Sequence, residues 1–123
     1  MNKHYRPGFQ YSEFASEFTA RFFDPNRFAQ IVRDSGAKYY VLTSKHHEGF
    51  ALWPSNYSWN WNAGDVGPGR DLVGELRDAF AKNAPDVHFG LYYSLFDWFH
   101  PLFEQDREAN FSRQDYVKVS LRR

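Results

Sequence analysis

The residues best suited to chemistry in this sequence form the unbroken run Lys45-His46-His47-Glu48. The run follows residues 39–43, a short apolar stretch of aromatic and β-branched residues that is typical of a buried strand. Imidazoles donate or accept hydrogen bonds, a carboxylate accepts them and an ammonium group donates them. The run therefore indicates, at the end of a strand, a pocket for a hydroxyl-bearing ligand such as a sugar, a metal site or an acid–base pair.

A metal site is the weakest of these three interpretations. Its ligands must converge on one point, at about 2.0–2.1 Å for an imidazole nitrogen on zinc. Adjacent side chains of an extended backbone point to opposite sides, so His46 and His47 converge only if the backbone bends. No H-x-H, H-E-x-x-H or cysteine-based spacing occurs. We expect no metal and no other cofactor, and we interpret the histidines as separate hydrogen-bonding groups, with bonding to backbone carbonyls as the structural alternative.

An acid–base role for Glu48 with Lys45 is weaker than a solvated ion pair between them. Glycoside hydrolysis usually requires two carboxylates, about 5–5.5 Å apart for retention or 6.5–9.5 Å apart for inversion. The acidic residues that follow the predicted strands are Glu48, Asp65, Asp97 and Glu104. Their spacing in the sequence does not indicate that any two of them form such a pair. Asp97 is the best local alternative.

Aromatic residues make up 20% of the chain, and most large rings in proteins are core residues. Trp53 could instead form a platform for a pyranose ring, whereas Trp59 and Trp61 are better explained by packing within their loop. Tyr92 and Tyr93 end a predicted strand, where successive side chains face opposite sides, so one of them is a site candidate.

The elements that position these residues alternate along the chain. Asp24-Pro25 predicts a helix start, with an apolar face of Phe28, Ile31 and Val32 and a stop at Gly36. Strands are predicted over 38–43 and 87–94, and a second helix begins near Asp71 and ends by Asn83. The segments 44–70 and 95–110 are predicted loops, 1–23 is irregular, and the tail is either a short helix or an unpaired end.

This order of helices and strands predicts an α/β fold with parallel strands joined by crossover helices. Neither strand is followed by a G-x-G-x-x-G fingerprint, which favours part of a barrel over a nucleotide-binding sheet. Two strands form roughly a quarter of an eight-unit barrel, which needs about 250 residues.

Charge and composition exclude several classes of function. The 15 basic and 15 acidic residues balance, so no nucleic-acid partner is indicated. There is no apolar run near 18 residues, so no membrane span is expected. The N-terminal residues show no apolar signal-peptide region. The sequons at Asn56 and Asn110 matter only in a secreted protein.

The sequence from Ala37 through the Lys45–Phe50 run resembles the α-L-fucosidases of glycoside hydrolase family 29. The resemblance continues in Ser58-Trp59-Asn60-Trp61-Asn62, in Gly67-Pro68-Gly69-Arg70-Asp71 and in the residues 89–102, and it is strongest to the animal lysosomal or secreted type. It implies that residues 1–123 are a fragment of a (β/α)8 TIM-barrel catalytic domain, about two β/α units, with 111–123 a divergent tail. The implied activity is retaining hydrolysis of terminal α-L-fucose on glycoproteins and glycolipids, in a lysosomal or extracellular enzyme that forms an oligomer.

The resemblance also implies site roles. His46 and His47 match the pair that bonds fucose hydroxyls, and Tyr93, more than Tyr92, matches the tyrosine lining that pocket. Glu48 and Trp53 fall in the same motif and are expected substrate-binding residues. The W-S-D-G-type nucleophile motif and the F-I-H-W-G strand are absent, so no catalytic residue is expected in this chain and the chain alone should be inactive. The alternatives are a non-catalytic fucose-binding module and a metal-dependent hydrolase.

Overall fold

The computed structural model describes residues 4–58 and 60–120. Its elements, in chain order, are a 3-10 helix (Tyr11–Glu13), α1 (Phe14–Glu17), α2 (Pro25–Asp34), β1 (Tyr39–Lys45), α3 (Leu72–Asn83), β2 (His88–Tyr93), α4 (Pro101–Glu108) and α5 (Asp115–Ser120). Within the described residues, β1 and β2 form one parallel two-stranded sheet and α3 connects them. The predicted α/β class is confirmed, and the central helices and strands lie within two residues of their predicted bounds.

The two longest helices begin where the sequence predicts, because each has an aspartate N-cap. The Asp24 carboxylate accepts hydrogen bonds from the backbone N–H groups of Asn26 (2.9 Å) and Arg27 (3.1 Å). The Asp71 carboxylate accepts one from the N–H of Gly74 at 2.8 Å. These bonds satisfy N–H groups that have no partner within the helix.

The core lies between the sheet and the pair of helices α2 and α3. Phe80 of α3 is 2% exposed, and its ring lies 5.1 Å from the rings of both Tyr40 and Phe89, one on each strand. Ala29 of α2 is fully buried in the same cluster. Ile31, predicted to belong to the buried face of α2, is 57% exposed, so that part of the prediction is wrong.

On the opposite face of the sheet, the strand side chains are largely exposed among the described residues. Because side chains alternate along a strand and Tyr40 packs into the core, Tyr39 and Val41 face the other way. Their exposed fractions are 73% and 59%. The helices α2 and α3 therefore lie together on one side of the sheet, and the strands lead into the loops that follow them.

The prediction of a loop over 95–110 is wrong, because this segment contains α4. The imidazole of His100 accepts a hydrogen bond from the N–H of Leu102 at 3.2 Å, and Pro101 occupies the first helical position. The buried carboxylate of Asp106 in α4 accepts bonds from the N–H groups of Asp115 (3.1 Å) and Tyr116 (2.7 Å). The tail is therefore helical over Asp115–Ser120, and the predicted irregular N-terminal segment contains the 3-10 helix and α1.

No helix in the part of the chain that the structure describes is long and apolar enough to cross a membrane. Trp59 and residues 121–123 lie outside the described residues, so the predictions made for them are not addressed.

Candidate functional site

The candidate site lies where β1 and β2 end. Parallel strands bring their carboxyl ends to the same edge of a sheet, so the residues after Lys45 and after Tyr93 meet there. Register is continuous from Tyr39 paired with His88 to Thr43 paired with Tyr92, and then Lys45 pairs with Tyr93. Ser44 is thus one extra residue in β1, and such a bulge redirects the side chains that follow it.

Lys45 joins the ends of the two strands. Its side chain is buried, and its ammonium group donates hydrogen bonds to the carbonyls of Ser94 (2.9 Å) and Phe96 (2.8 Å). The same ammonium lies 4.7 Å from the centre of the Tyr93 ring, within the range of a cation–π contact. A buried ammonium requires such partners. Lys45 therefore contacts β2 and the loop that follows it.

His47 lies against the loop that follows β2. Its Nδ1 is 2.5 Å from the hydroxyl oxygen of Ser94, and its carbonyl accepts a bond from the N–H of Trp98 at 2.8 Å. The rings of Phe96 and Trp98 each lie 5.3 Å from the imidazole. The ring is therefore held in place by one polar contact and two aromatic contacts.

His46 is more exposed and lies beside its neighbour, with the two imidazole centres 4.0 Å apart. The Glu48 carboxylate is 3.8 Å from Nδ1 of His46, and the Tyr92 ring lies 5.9 Å from the His46 ring. The two histidines therefore do converge, as a bent backbone allows. Within the described residues no group of three or more His, Cys, Asp or Glu side chains is arranged to hold a metal ion.

A cavity of about 420 Å³ opens beside this edge, a volume in the usual range for small-ligand pockets. Trp53 and Tyr93 contribute aromatic surface to it, with their ring centres 6.2 Å apart. Lys45 and Asp97 contribute charged groups, and the remaining lining residues are Gly49, Ala51, Pro54, Ser55, Asn56, Tyr57 and Ser58. Neither histidine lines this cavity.

Asp97 enters the cavity because Gly49 leaves room for it. The Asp97 side chain is 7% exposed. A Cβ atom added to Gly49 would lie 2.3 Å from one oxygen of that carboxylate, and Gly49 has a φ of +88°. Both the backbone conformation and the close approach require glycine here.

The long loop after β1 is ordered by its own polar groups. The Asn62 side chain is fully buried; its amide donates to the carbonyl of Ser58 at 2.9 Å and to the carboxylate of Asp65 at 2.8 Å. The Trp61 indole N–H donates to the carbonyl of Glu48 at 2.8 Å. These bonds assign Trp61 to loop packing, as predicted, and they hold the backbone of Glu48 next to the histidines.

Where the loop meets α3, the Glu75 carboxylate accepts a hydrogen bond from the Arg70 guanidinium. That bond, reinforced by the opposite charges and partly offset by burial, raises the pKa of Arg70. Arg70 also donates to the carbonyl of Ala20 at 3.4 Å. This contact ties the end of the long loop to the segment that precedes α2.

The predicted site residues thus fall into two neighbouring groups. His46, His47 and Glu48 lie together with Tyr92, whereas Trp53 and Tyr93 lie together on the cavity. Ser94 was not among the predicted site residues. Its position directly after the second predicted strand, next to the two tyrosines, is the only signal in the sequence that could have indicated it.

The family model described as Alpha-L-fucosidase matches residues 1–123. The chain belongs to the α-L-fucosidase family. It is 58% identical over 118 residues to the α-L-fucosidase of Branchiostoma floridae, covering 96% of this chain and 26% of that one. It is 57% identical over 116 residues to the plasma α-L-fucosidase of Homo sapiens, covering 94% and 25%. The chain thus spans about a quarter of the length of the curated relatives it matches.

Solved structures of fucosidases are similar in fold to this chain. The Thermotoga maritima α-fucosidase in complex with a mechanism-based inhibitor has a TM-score of 0.73 and 43% identity, covering 78% of this chain and 22% of that chain. The same enzyme in complex with fucose has a TM-score of 0.72 and 34% identity, covering 95% and 31%. The resemblance noted in the sequence is therefore confirmed at the level of the family.

Proposed function

We propose that this chain forms the sugar-recognition part of an α-L-fucosidase, a retaining glycosidase that releases terminal α-L-fucose from glycoproteins and glycolipids. The observation that carries the proposal is the convergence of His46, His47 and Tyr92 at the carboxyl edge of a parallel sheet, in a chain of this family. A relative of similar fold has been solved with fucose bound. Since the relatives are named as fucosidases, the enzyme is favoured over a non-catalytic binding module.

We also propose that residues 1–123 are part of a (β/α)8 TIM-barrel catalytic domain, about two β/α units, with 111–123 a divergent tail. Two features support this assignment. The helices α2 and α3 cover one face of the sheet, and the other face exposes Tyr39 and Val41, as a face that lines a barrel interior would when its neighbouring strands are not present. The long loops that follow the strands hold the site residues, as they do in barrel enzymes.

In this proposal the strand-end residues bind different parts of the substrate. The imidazoles of His46 and His47 hydrogen-bond fucose hydroxyls, and Glu48, 3.8 Å from His46, orients that ring and accepts from a hydroxyl. Trp53 and Tyr93 supply flat apolar surface for the C–H groups of the glycan. Tyr92, in contact with His46, joins the first group.

The bond-breaking carboxylates are not assigned to these residues. The sequence contains no W-S-D-G-type motif, and removing a covalent nucleophile normally lowers turnover by several orders of magnitude. We therefore expect the 123-residue chain to bind L-fucose without hydrolysing fucosides.

Calorimetric titration of the 123-residue chain with L-fucose tests the proposal, with D-fucose as the control ligand. We expect binding of L-fucose to be lost in His47→Phe and retained in His88→Phe. His88 is the matched control because it is an exposed histidine at the opposite end of β2, stacked on Tyr39. Equal binding of the two enantiomers, or equal losses in the two variants, would refute the assignment.

A turnover assay tests the second part of the proposal. The chain, incubated with an aryl α-L-fucoside, is expected to release no aglycone above the uncatalysed rate. Measurable release would show that the catalytic carboxylates lie within these residues, and Asp97 would then be the first one to replace.

The relatives include plasma and tissue α-L-fucosidases, and on that basis we propose a lysosomal or extracellular location. The proposed partners are fucosylated glycans, and an oligomeric form of the full-length enzyme is a further expectation. Neither nucleic acid nor a cofactor is part of the proposal.

A further inference from the structure

Ser94 is a buried residue that contacts a proposed sugar-binding histidine. It follows β2 directly, is 2% exposed, and its hydroxyl oxygen lies 2.5 Å from Nδ1 of His47. The N–H of Phe96 donates to the same hydroxyl oxygen at 3.1 Å. The carbonyl of Phe96 lies 3.5 Å from it.

These distances favour one direction for the hydroxyl hydrogen. A serine hydroxyl has one hydrogen and two lone pairs, and the Phe96 N–H occupies one lone pair. The hydrogen can reach either Nδ1 of His47 at 2.5 Å or the Phe96 carbonyl at 3.5 Å. The second contact is at the limit for a hydrogen bond, whereas the first is short. The geometry therefore favours a hydroxyl that donates to Nδ1 of His47 over the opposite arrangement, in which Nδ1–H donates to the hydroxyl and the hydroxyl donates to the Phe96 carbonyl.

A nitrogen that accepts this hydrogen bond carries no hydrogen itself. The neutral imidazole of His47 must then carry its hydrogen on Nε2. The far side of the ring is thereby a hydrogen-bond donor, and it suits an oxygen lone pair of a ligand.

The backbone of Ser94 is fixed at both ends by Lys45. The Ser94 carbonyl accepts from the Lys45 ammonium at 2.9 Å, and the Ser94 N–H donates to the Lys45 carbonyl at 3.0 Å. Because the residue cannot shift without breaking both bonds, its hydroxyl has a fixed position relative to His47.

We propose that Ser94 is a positioning residue that holds His47 in the Nε2–H form, so that His47 donates to a hydroxyl oxygen of the sugar. This inference rests on the proposed function, because it names the hydrogen-bonding role of one residue in that site. Ser94 itself acts through His47 and makes no contact with the ligand.

Nitrogen-15 NMR of the 123-residue chain labelled at histidine tests the inference. Spectra are recorded above the ordinary imidazole pKa of about 6.5, with His47 assigned by the signals lost in His47→Gln. Magic-angle spinning gives the same shifts from a sedimented sample. In the unsubstituted chain we expect Nδ1 of His47 to be unprotonated and hydrogen-bonded, and Nε2 to be protonated. In Ser94→Ala the Nδ1 shift should move toward that of a nitrogen without a hydrogen bond, and Ser94→Thr should restore it.

Ser44→Ala is the matched control. Ser44 is equally buried at the end of the adjacent strand, and its hydroxyl donates to the carbonyl of Tyr92 at 2.9 Å. A merely structural effect of losing a buried hydroxyl would appear in both variants, whereas only Ser94→Ala should change the His47 shifts. Protonated Nδ1 in the unsubstituted chain, or unchanged shifts in Ser94→Ala, would overturn the inference.

A titration of the same samples with L-fucose separates this inference from the proposed function. We expect Ser94→Ala to bind about tenfold more weakly, the effect of one lost hydrogen bond, with Ser94→Thr near the original affinity. If the unsubstituted chain fails to bind L-fucose, the proposed function is refuted, and the nitrogen shifts alone still decide whether Ser94 fixes the tautomer.

Discussion

Replacing Gly49 with alanine should destabilise the chain through two separable effects. Gly49 has a φ of +88°, and an added Cβ would lie 2.3 Å from one Asp97 carboxylate oxygen and 2.7 Å from the carboxyl carbon. A left-handed conformation costs an alanine about 1–2 kcal/mol. Forcing a methyl group into an occupied space costs about 1–3 kcal/mol more. The free energy of unfolding should therefore fall by about 2–5 kcal/mol in Gly49→Ala.

Gly36→Ala separates the two effects. Gly36 has a φ of +79°, but nothing lies within 4 Å of the position of its added Cβ. This variant should lose only the conformational part, about 1–2 kcal/mol. Asp97→Ala combined with Gly49→Ala should remove the steric part, so the double variant should lose less than the sum of the single variants.

Urea denaturation followed by tryptophan fluorescence measures the original chain and the four variants Gly49→Ala, Gly36→Ala, Asp97→Ala and the double variant, which are compared by midpoint at constant slope. Equal losses for Gly49→Ala and Gly36→Ala would refute the reasoning, because they would show that the Asp97 carboxylate is not held against Gly49. Additive losses in the double variant would have the same meaning.

Three further predictions concern the core, its pH dependence and the C-terminal helices. Phe80→Ala should lower the free energy of unfolding by about 3–5 kcal/mol, because Phe80 is 2% exposed. Phe22→Ala, at a residue that is 94% exposed, should change it little. Similar midpoints in urea for the two variants would contradict the proposed core. Burial raises the pKa of the Tyr40 hydroxyl above 10.0. The contribution of this group to stability is therefore complete below pH 10.0 and is lost as the pH rises through the folded-state pKa. Tyr40→Phe should flatten the decline in thermal midpoint above pH 10.0, and an unchanged decline would show that other groups cause it. Asp106→Ala should increase hydrogen exchange at the amides of Asp115 and Tyr116, because both donate to the Asp106 carboxylate. Asp106→Asn keeps one acceptor oxygen and should increase the exchange less. Unchanged exchange in both variants would show that the carboxylate does not anchor α5.

The helices α2 and α3 could be predicted from the sequence because their start signals are local. Asp24 and Asp71 are standard N-cap residues, and each accepts backbone hydrogen bonds as expected. The start of α4 was missed because His100 serves as its N-cap, and histidine is not among the residues that usually do so. The stability of α4 and α5 also depends on the long-range bonds of Asp106, which no local pattern reveals.

That polar and aromatic residues meet at the strand ends could be predicted, but their division into two groups could not. The types and spacing of His46 and His47 alone indicate a polar strand end. The bulge at Ser44 shifts the register, so that Lys45 pairs with Tyr93 while Tyr92 contacts His46. The alternation of side chains therefore could not show which tyrosine joins the histidines.

In the proposed function the strand-end histidines bind the sugar. The imidazole NMR shifts of the 123-residue chain, read for each histidine as L-fucose is added, test this binding. We expect the signals of His46 and His47 to move in a saturable way while those of His88 and His100 stay in place. No change at His46 and His47 at saturating L-fucose, or changes confined to the other histidines, would contradict the claim.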